Sequence, residues 1–380
     1  MDILSRLRMP APLGGRFARS MQISETMFRV TAGFPFFPRR LPVNGRQTVA
    51  VRGLCGGTCL LRLGVLPGIL EPGDGRRIPP GKREDSMLTY EHCTLCPRAC
   101  GVNRRAGELG FCRMPAGIRA ARAAPHYGEE PVISGSFGSG TVFFSGCTLG
   151  CGFCQNEPIS HGNYGKPLQA AQLRAVLERL VDEGVQNINL VTPTQFLPDI
   201  LEALTPRLPV PVVYNCGGYE SVRTLQALEG YVDVYLPDFK YTDAALAARL
   251  SAAPDYPETA AAAILEMARQ TGPCVLQDGR LLRGTLVRHL ILPGCLDNSL
   301  GVVDWFADHF SSGGVLFSLM SQYTPMGRLA AVPPFDRPIT EEEYAAVRSW
   351  MELRGVRNGF VQDAAASGRE FIPDFDLSGL

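Results

Sequence analysis

The chain has 380 residues with 37 basic and 37 acidic side chains, so its formal charge is zero and gives no reason to expect nucleic acid or a membrane surface as partner. Hydrophobic residues make up 45% and charged residues 19%, a balance that suits a globular protein with a large buried core. No run of 18 apolar residues occurs, which excludes a membrane-spanning helix.

That zero averages two unlike parts. Residues 1–86 carry 14 basic and 6 acidic side chains, a balance of +8, and the remainder carries 23 against 31, a balance of −8. The first part also holds 9 Pro and 12 Gly, and its apolar residues keep neither the helical nor the strand period. It lacks the apolar segment of a secretion signal, and Pro and Gly break any amphipathic presequence helix. Residues 1–86 are therefore expected to be a disordered or spurious leader. Cys55 and Cys59 fall inside it, two thiols without further ligands nearby.

Residues 87–135 form a Cys-rich module. Cys93, Cys96 and Cys100 stand in CTLCPRAC and Cys112 closes GELGFC. Four thiolates at that spacing can hold a tetrahedral zinc ion or a four-iron cluster. The segment has too few apolar residues to fold without one. His92 adjoins Cys93 but is not needed as a ligand.

Residues 136–330 open with Thr141–Gly146, a β-branched and aromatic stretch that predicts a buried strand. Cys147, Cys151 and Cys154 follow at once as CxxxCxxC. Three thiolates on one tight loop cannot close a four-coordinate zinc site. They can hold three irons of a [4Fe–4S] cube and leave the fourth iron open. Beyond this loop, Leu173, Val176, Leu177, Leu180 and Val181 mark one helical face. Strands are predicted at Asn187–Val191, Val210–Tyr214, Tyr231–Leu236, Leu286–Leu292 and Val315–Leu319. Helices are predicted at Phe196–Leu204, Ser221–Leu228, Ala244–Leu250, Thr259–Arg269 and Leu300–Phe310. Six βα units in series predict an α/β fold with a parallel sheet. Residues 331–380 contain Thr340-Glu-Glu-Glu343, a capping box that opens a final helix. That helix and the tail are expected to pack on the main domain. Cys216, Cys274 and Cys295 stand alone beside apolar runs and read as core thiols. No GxSxG, P-loop or HExxH motif occurs, so hydrolase and NTPase functions find no support.

The CxxxCxxC loop with an aromatic before its last Cys resembles that of the radical S-adenosylmethionine (SAM) superfamily. More closely, CTLCPRACGVNRRAGELGFC at 93–112 resembles a branch related to pyruvate formate-lyase activating enzymes. GSGTVFFSGCTLGCGFCQN, NINLVTPTQ, GYESVRTLQALEGYVDVYLPDFKY, VRHLILPG, SLMSQYTPM and IPDFDLSG match it too, so the resemblance runs from about Leu88 to Leu380. It begins directly after Met87, itself a possible natural start.

The resemblance implies a partial (β/α)6 TIM-like barrel with chemistry at the C-terminal ends of the strands. It implies a [4Fe–4S] cluster on Cys147, Cys151 and Cys154 with SAM on the open iron. Asp238 and Lys240 match a DxK position at the end of the fourth strand, and Arg288 matches an arginine that faces the SAM carboxylate. Asn156 follows the last cluster Cys and would order the loop. Where the activating enzymes carry GGE, this chain has Val191-Thr192-Pro193-Thr194, which leaves the hydroxyls and carbonyls of Thr192 and Thr194 to serve SAM. His289 points to the other strand face and is expected to be structural.

The expected function is a cytoplasmic radical SAM oxidoreductase. It would cleave SAM reductively to a 5′-deoxyadenosyl radical and abstract hydrogen, with a glycine of a glycyl-radical partner enzyme as the implied substrate. Radical modification of another peptide or small molecule is the alternative, and an iron–sulfur electron carrier or zinc-binding structural protein is the alternative of a different class. The expected partners are SAM and a low-potential donor such as flavodoxin or ferredoxin. The 93–112 cysteines would add a second iron–sulfur cluster or zinc.

Overall fold

The computed structural model describes residues 88–363 and 372–380, with the backbone of residues 21–22, 49–52 and 58–61. The expected leader, Cys55 included, otherwise lies outside the described residues, and of Cys59 only the backbone is described. Residues 29–79 form a unit of their own, in which β2 (Val49–Arg52) and β3 (Thr58–Leu61) pair as an antiparallel hairpin.

The remaining unit contains β1 (Met21–Gln22), β4 (Ile118–His126), α1 (Pro131–Ser134), β5 (Ser139–Phe144), α2 (Glu157–Ser160), β6 (Lys166–Leu168), α3 (Ala170–Asp182), β7 (Ile188–Val191) and α4 (Leu197–Ala203). It continues through β8 (Val212–Cys216), α5 (Val222–Ala227), β9 (Val234–Pro237), α6 (Ala244–Ser251) and α7 (Tyr256–Thr271). Then follow β10 (Val275–Gln277), β11 (Arg280–Leu290), α8 (Leu296–Phe310), β12 (Leu316–Met320), α9 (Glu341–Leu353) and β13 (Gly359–Gln362).

Strands β5, β7, β8, β9, β11 and β12 are parallel neighbours in that order, the six strands expected from the sequence. Helices cross over between them, and every residue of β5, β7 and β8 is buried, as parallel strands covered on both faces require. Val213, Val234, Leu236, Leu286 and Phe360 converge on Val132 and Ile133 of α1. Strands from β8 to β13 therefore curve around a common interior that α1 plugs. The sheet does not close. Antiparallel β4 and β6 extend it beyond β5, and β13 and β1 extend it beyond β12.

Local chemistry explains the elements. Thr340 caps α9 in the expected capping box with Glu343. Gln169 and Gln172 form a second box at α3, which buries Leu173, Val176, Leu177 and Leu180 against the sheet. The turn between β10 and β11 is Asp278-Gly279, both at positive φ, the backbone of a type I′ hairpin. Helix α9 is fastened to α8 through Asp304, which accepts from Trp350 Nε1 at 2.8 Å and Arg354 Nη1 at 2.6 Å. The tail returns to β4, where Leu377 N donates to Ala121 O and Ala123 N to Ser378 O, both at 3.0 Å. Among the described residues no helix is long and apolar enough to cross a membrane.

Candidate metal and cofactor site

Parallel strands all deliver their C-terminal ends to one side of the sheet, and the loops there carry the chemistry-bearing residues. The loop after β5 holds Cys147, Cys151 and Cys154. Gly146 and Gly150 take positive φ within it, and a Cβ on Gly146 would stand 2.4 Å from Met114 Cγ. Leu149 N donates to Cys147 Sγ at 3.4 Å, and Ser160 Oγ donates to Cys154 Sγ at 3.3 Å. Leu250 O accepts from Gly152 N at 2.8 Å, and the segment after β12 lies over the loop, with Leu329 N donating to Gly152 O and Arg328 Nη2 to Gly150 O. Burial pushes the Cys147 thiol up to about 12 and the Cys154 thiol up to about 11, with neighbouring Cys151 adding to both. Thiols whose burial holds them up, as at Cys147 and Cys154, form thiolates readily only beside a cationic centre. The donor set fits an iron–sulfur cluster.

Across the strand ends runs a half-buried ionic row. Asp238, just after β9, forms a bridge with Arg288 of β11, and its carboxylate accepts from Arg288 Nε at 2.9 Å and Lys240 Nζ at 2.5 Å. Arg288 also donates to Glu129 Oε2 at 3.0 Å and Asn215 Oδ1 at 2.6 Å. Glu129 Oε1 in turn accepts from Asn189 and Asn215. Burial raises the Asp238 carboxyl, but Arg288 and then Lys240 outweigh it and hold it below the usual range. A Cβ on Gly217 would stand 3.4 Å from Leu149 Cδ2, between Cys147 and Cys151, and 3.8 Å from Lys240 Cε, so the row ends beside the cysteine loop. Below the row, Tyr256 Oη accepts from Lys240 N, and Asn298 Nδ2 donates to Lys240 O, both at 2.9 Å. His289 sits on the opposite strand face between Phe239 O and Ser299 Oγ. Burial lowers it to about 4, so it is a neutral structural side chain.

Thr192 and Thr194 part company. Thr192 caps the end of β7 at φ 56, a strained conformation for a β-branched residue that is typical of functional loops. Thr194 is instead buried on the helix side. Its hydroxyl donates to Glu220 Oε1 at 2.8 Å and lies 3.0 Å from Tyr214 Oη. Asn156 is the N-cap residue of α2, without a side-chain cap bond.

The Cys-rich module packs directly on the cysteine loop. Cys93, Cys96, Cys100 and Cys112 line one cavity whose wall includes Thr148, from between Cys147 and Cys151, and Gln195. Arg98, between Cys96 and Cys100, donates to Thr148 O at 3.0 Å, Leu149 O at 3.1 Å, Ser251 O at 2.9 Å and Ala252 O at 2.5 Å. Its guanidinium stacks 3.7 Å from the centre of the Phe111 ring. Among the described residues no three Cys, His, Asp or Glu side chains are grouped to hold a single metal ion. Cys216 and Cys295 are buried core thiols, as expected, and Cys274 is half-buried.

Sequence reasoning missed Glu129, Asn215 and Glu220. Asn215 carried a signal, a polar residue at the end of an otherwise apolar strand. Glu129 sits in a link without motif, and only the fold brings it to Arg288.

No protein-family model matches the chain. The uncharacterized protein MJ0674 of Methanocaldococcus jannaschii is 30% identical over 276 residues, 69% of this chain and 75% of that protein. Among solved structures, Streptococcus suis SuiB bound to its precursor peptide SuiA is 13% identical, with a TM-score of 0.42 over 57% of this chain and 46% of SuiB. Methylornithine synthase (PylB) is also 13% identical, with a TM-score of 0.38 over 55% of this chain and 60% of that one. The chain thus spans less than two thirds of either structure.

Proposed function

We propose that this chain, which belongs to the same family as the M. jannaschii protein MJ0674, is a radical SAM enzyme. The observation that carries the reading is the juxtaposition of the three-thiol loop at the end of β5 with the half-buried Lys240–Asp238–Arg288 row. Cys147, Cys151 and Cys154 hold a [4Fe–4S] cluster, and Thr192, Thr194, Asp238, Lys240 and Arg288 hold SAM. When bound, cluster and SAM together supply a one-electron reductive cleavage that yields methionine and a 5′-deoxyadenosyl radical, the hydrogen abstractor.

The protein's own share is binding, orientation and exclusion of water. Asp238 stays ionised because two cations flank it, so it accepts from hydroxyl or ammonium groups without taking their proton. Lys240 and Arg288 stay protonated beside it and offer donors to a carboxylate. The segment carrying Arg328 and Leu329 covers the cysteine loop and shields it from solvent.

The resemblance extends the proposal to a glycine Cα–H of a partner protein as hydrogen donor, and to flavodoxin or ferredoxin as the electron source. The test is anaerobic incubation of iron-loaded protein with SAM and dithionite. 5′-Deoxyadenosine is expected from the wild type and not from Cys151→Ala. Equal amounts from both would refute the ligand assignment.

A further inference from the structure

Arg104 is 1% exposed, and its guanidinium forms no ion pair among the described residues. Its donors go to backbone carbonyls, Nε to Met114 O at 2.8 Å, Nη1 to Gln195 O at 2.6 Å and Nη2 to Pro115 O at 2.8 Å. Nη1 also points at Cys93 Sγ from 3.7 Å, and the aromatic faces of Tyr90 and Phe196 enclose the group. A cation taken out of water without an anion is costly, and neutral carbonyls offset only part of that. Four thiols surround a cavity beside it, and Arg104 lines the same cavity. Phe111 N donates to Cys100 Sγ at 3.4 Å, a second N–H···S contact in the same shell.

We infer that the cavity lined by Cys93, Cys96, Cys100 and Cys112 is the site of a second metal centre, an anionic four-thiolate iron–sulfur cluster whose charge Arg104 balances. Any four-thiolate centre of iron–sulfur or zinc type carries net negative charge, and a negative centre is what the unpaired guanidinium lacks. Iron with sulfide, rather than zinc, is the form that the metal analysis below tests. Thr148 belongs to both the cavity wall and the Cys147–Cys154 loop, so the two centres are neighbours through one stretch of backbone. The inference borrows from the function proposed above only the first cluster.

Metal analysis of the full chain, purified and reconstituted without oxygen, decides it. About eight iron and eight sulfide per chain are expected in the wild type if both sites hold a four-iron cube. About four of each should remain in the Cys147→Ala/Cys151→Ala/Cys154→Ala variant and in the Cys93→Ala/Cys96→Ala/Cys100→Ala variant. Zinc in the first variant, or no metal there, would overturn the second cluster. Iron unchanged in the first variant would instead overturn the first. Should the module variant fail to fold, the wild-type count and the first variant still decide. Replacing the cation, Arg104→Met, should lower the reduction potential of the centre that persists in the first variant, and an unchanged potential would remove Arg104 from its surroundings.

Discussion

Glu220 supplies a pH test of the structure that needs no cofactor. Its carboxyl is buried beneath the loop after β8 and accepts from Thr194 Oγ1 at 2.8 Å and Tyr214 Oη at 3.2 Å. Burial outweighs those bonds and pushes it up to about 7, from an ordinary value of 4.5. Between those two values the folded chain keeps the proton that the unfolded chain has lost, so stability must fall as pH rises through the window. At about 1.4 kcal/mol per pH unit the loss reaches about 3 kcal/mol by pH 8. Glu220→Gln keeps an acceptor for Thr194 and cannot ionise. Urea unfolding of both proteins at pH 5, 6, 7 and 8 should give curves that diverge. The Gln variant should be similar to or weaker than wild type at pH 5 and more stable by about 3 kcal/mol at pH 8. Parallel pH dependences would refute the burial argument for Glu220.

Other perturbations follow from the same geometry. Asp238→Asn should weaken SAM binding by about ten- to a hundredfold, since a charge-assisted contact is worth about 1.5–3 kcal/mol. Iron content should stay constant in the same samples, and unaltered affinity by calorimetry would reduce Asp238 to a structural partner of Arg288. Arg98→Ala strips donors from four carbonyls and should cost about 2–4 kcal/mol in unfolding free energy. It should also speed the bleaching of cluster absorbance in air, and equal bleaching rates would separate the module from the loop. Gly218 takes φ +78, and a Cβ there would stand 2.1 Å from Asp238 O. Gly218→Ala should therefore displace Asp238 and lower SAM affinity, which the same calorimetry reads.

Most of the frame was legible because parallel strands buried on both faces are continuous apolar runs, and their helices have one apolar face. All six expected strands lie adjacent in the expected order. β4 escaped because its Arg119, Arg122 and Pro125 interrupt the apolar period, although Ala120, Ala121 and Ala123 are buried. β13 is only four residues long. The four module cysteines line one cavity, and Cys147, Cys151 and Cys154 share the loop after β5. Glu129 and Arg288 are 159 residues apart, and no local pattern reports a pairing that only the curvature of the sheet creates. The contacts of Thr194 were hidden for a related reason. Position after a strand fixes a residue near the site, but the 3-10 turn at Thr194–Phe196 rotates its side chain toward Tyr214 and Glu220.

The central claim is that SAM meets a cluster held by Cys147, Cys151 and Cys154 beside the Asp238 row. Electron paramagnetic resonance of the dithionite-reduced protein, recorded with and without SAM, tests it most directly. SAM should change the spectrum of the cluster in the wild type and leave it unchanged in Cys151→Ala. A wild-type spectrum that SAM does not alter, in protein with full iron loading, would contradict the account.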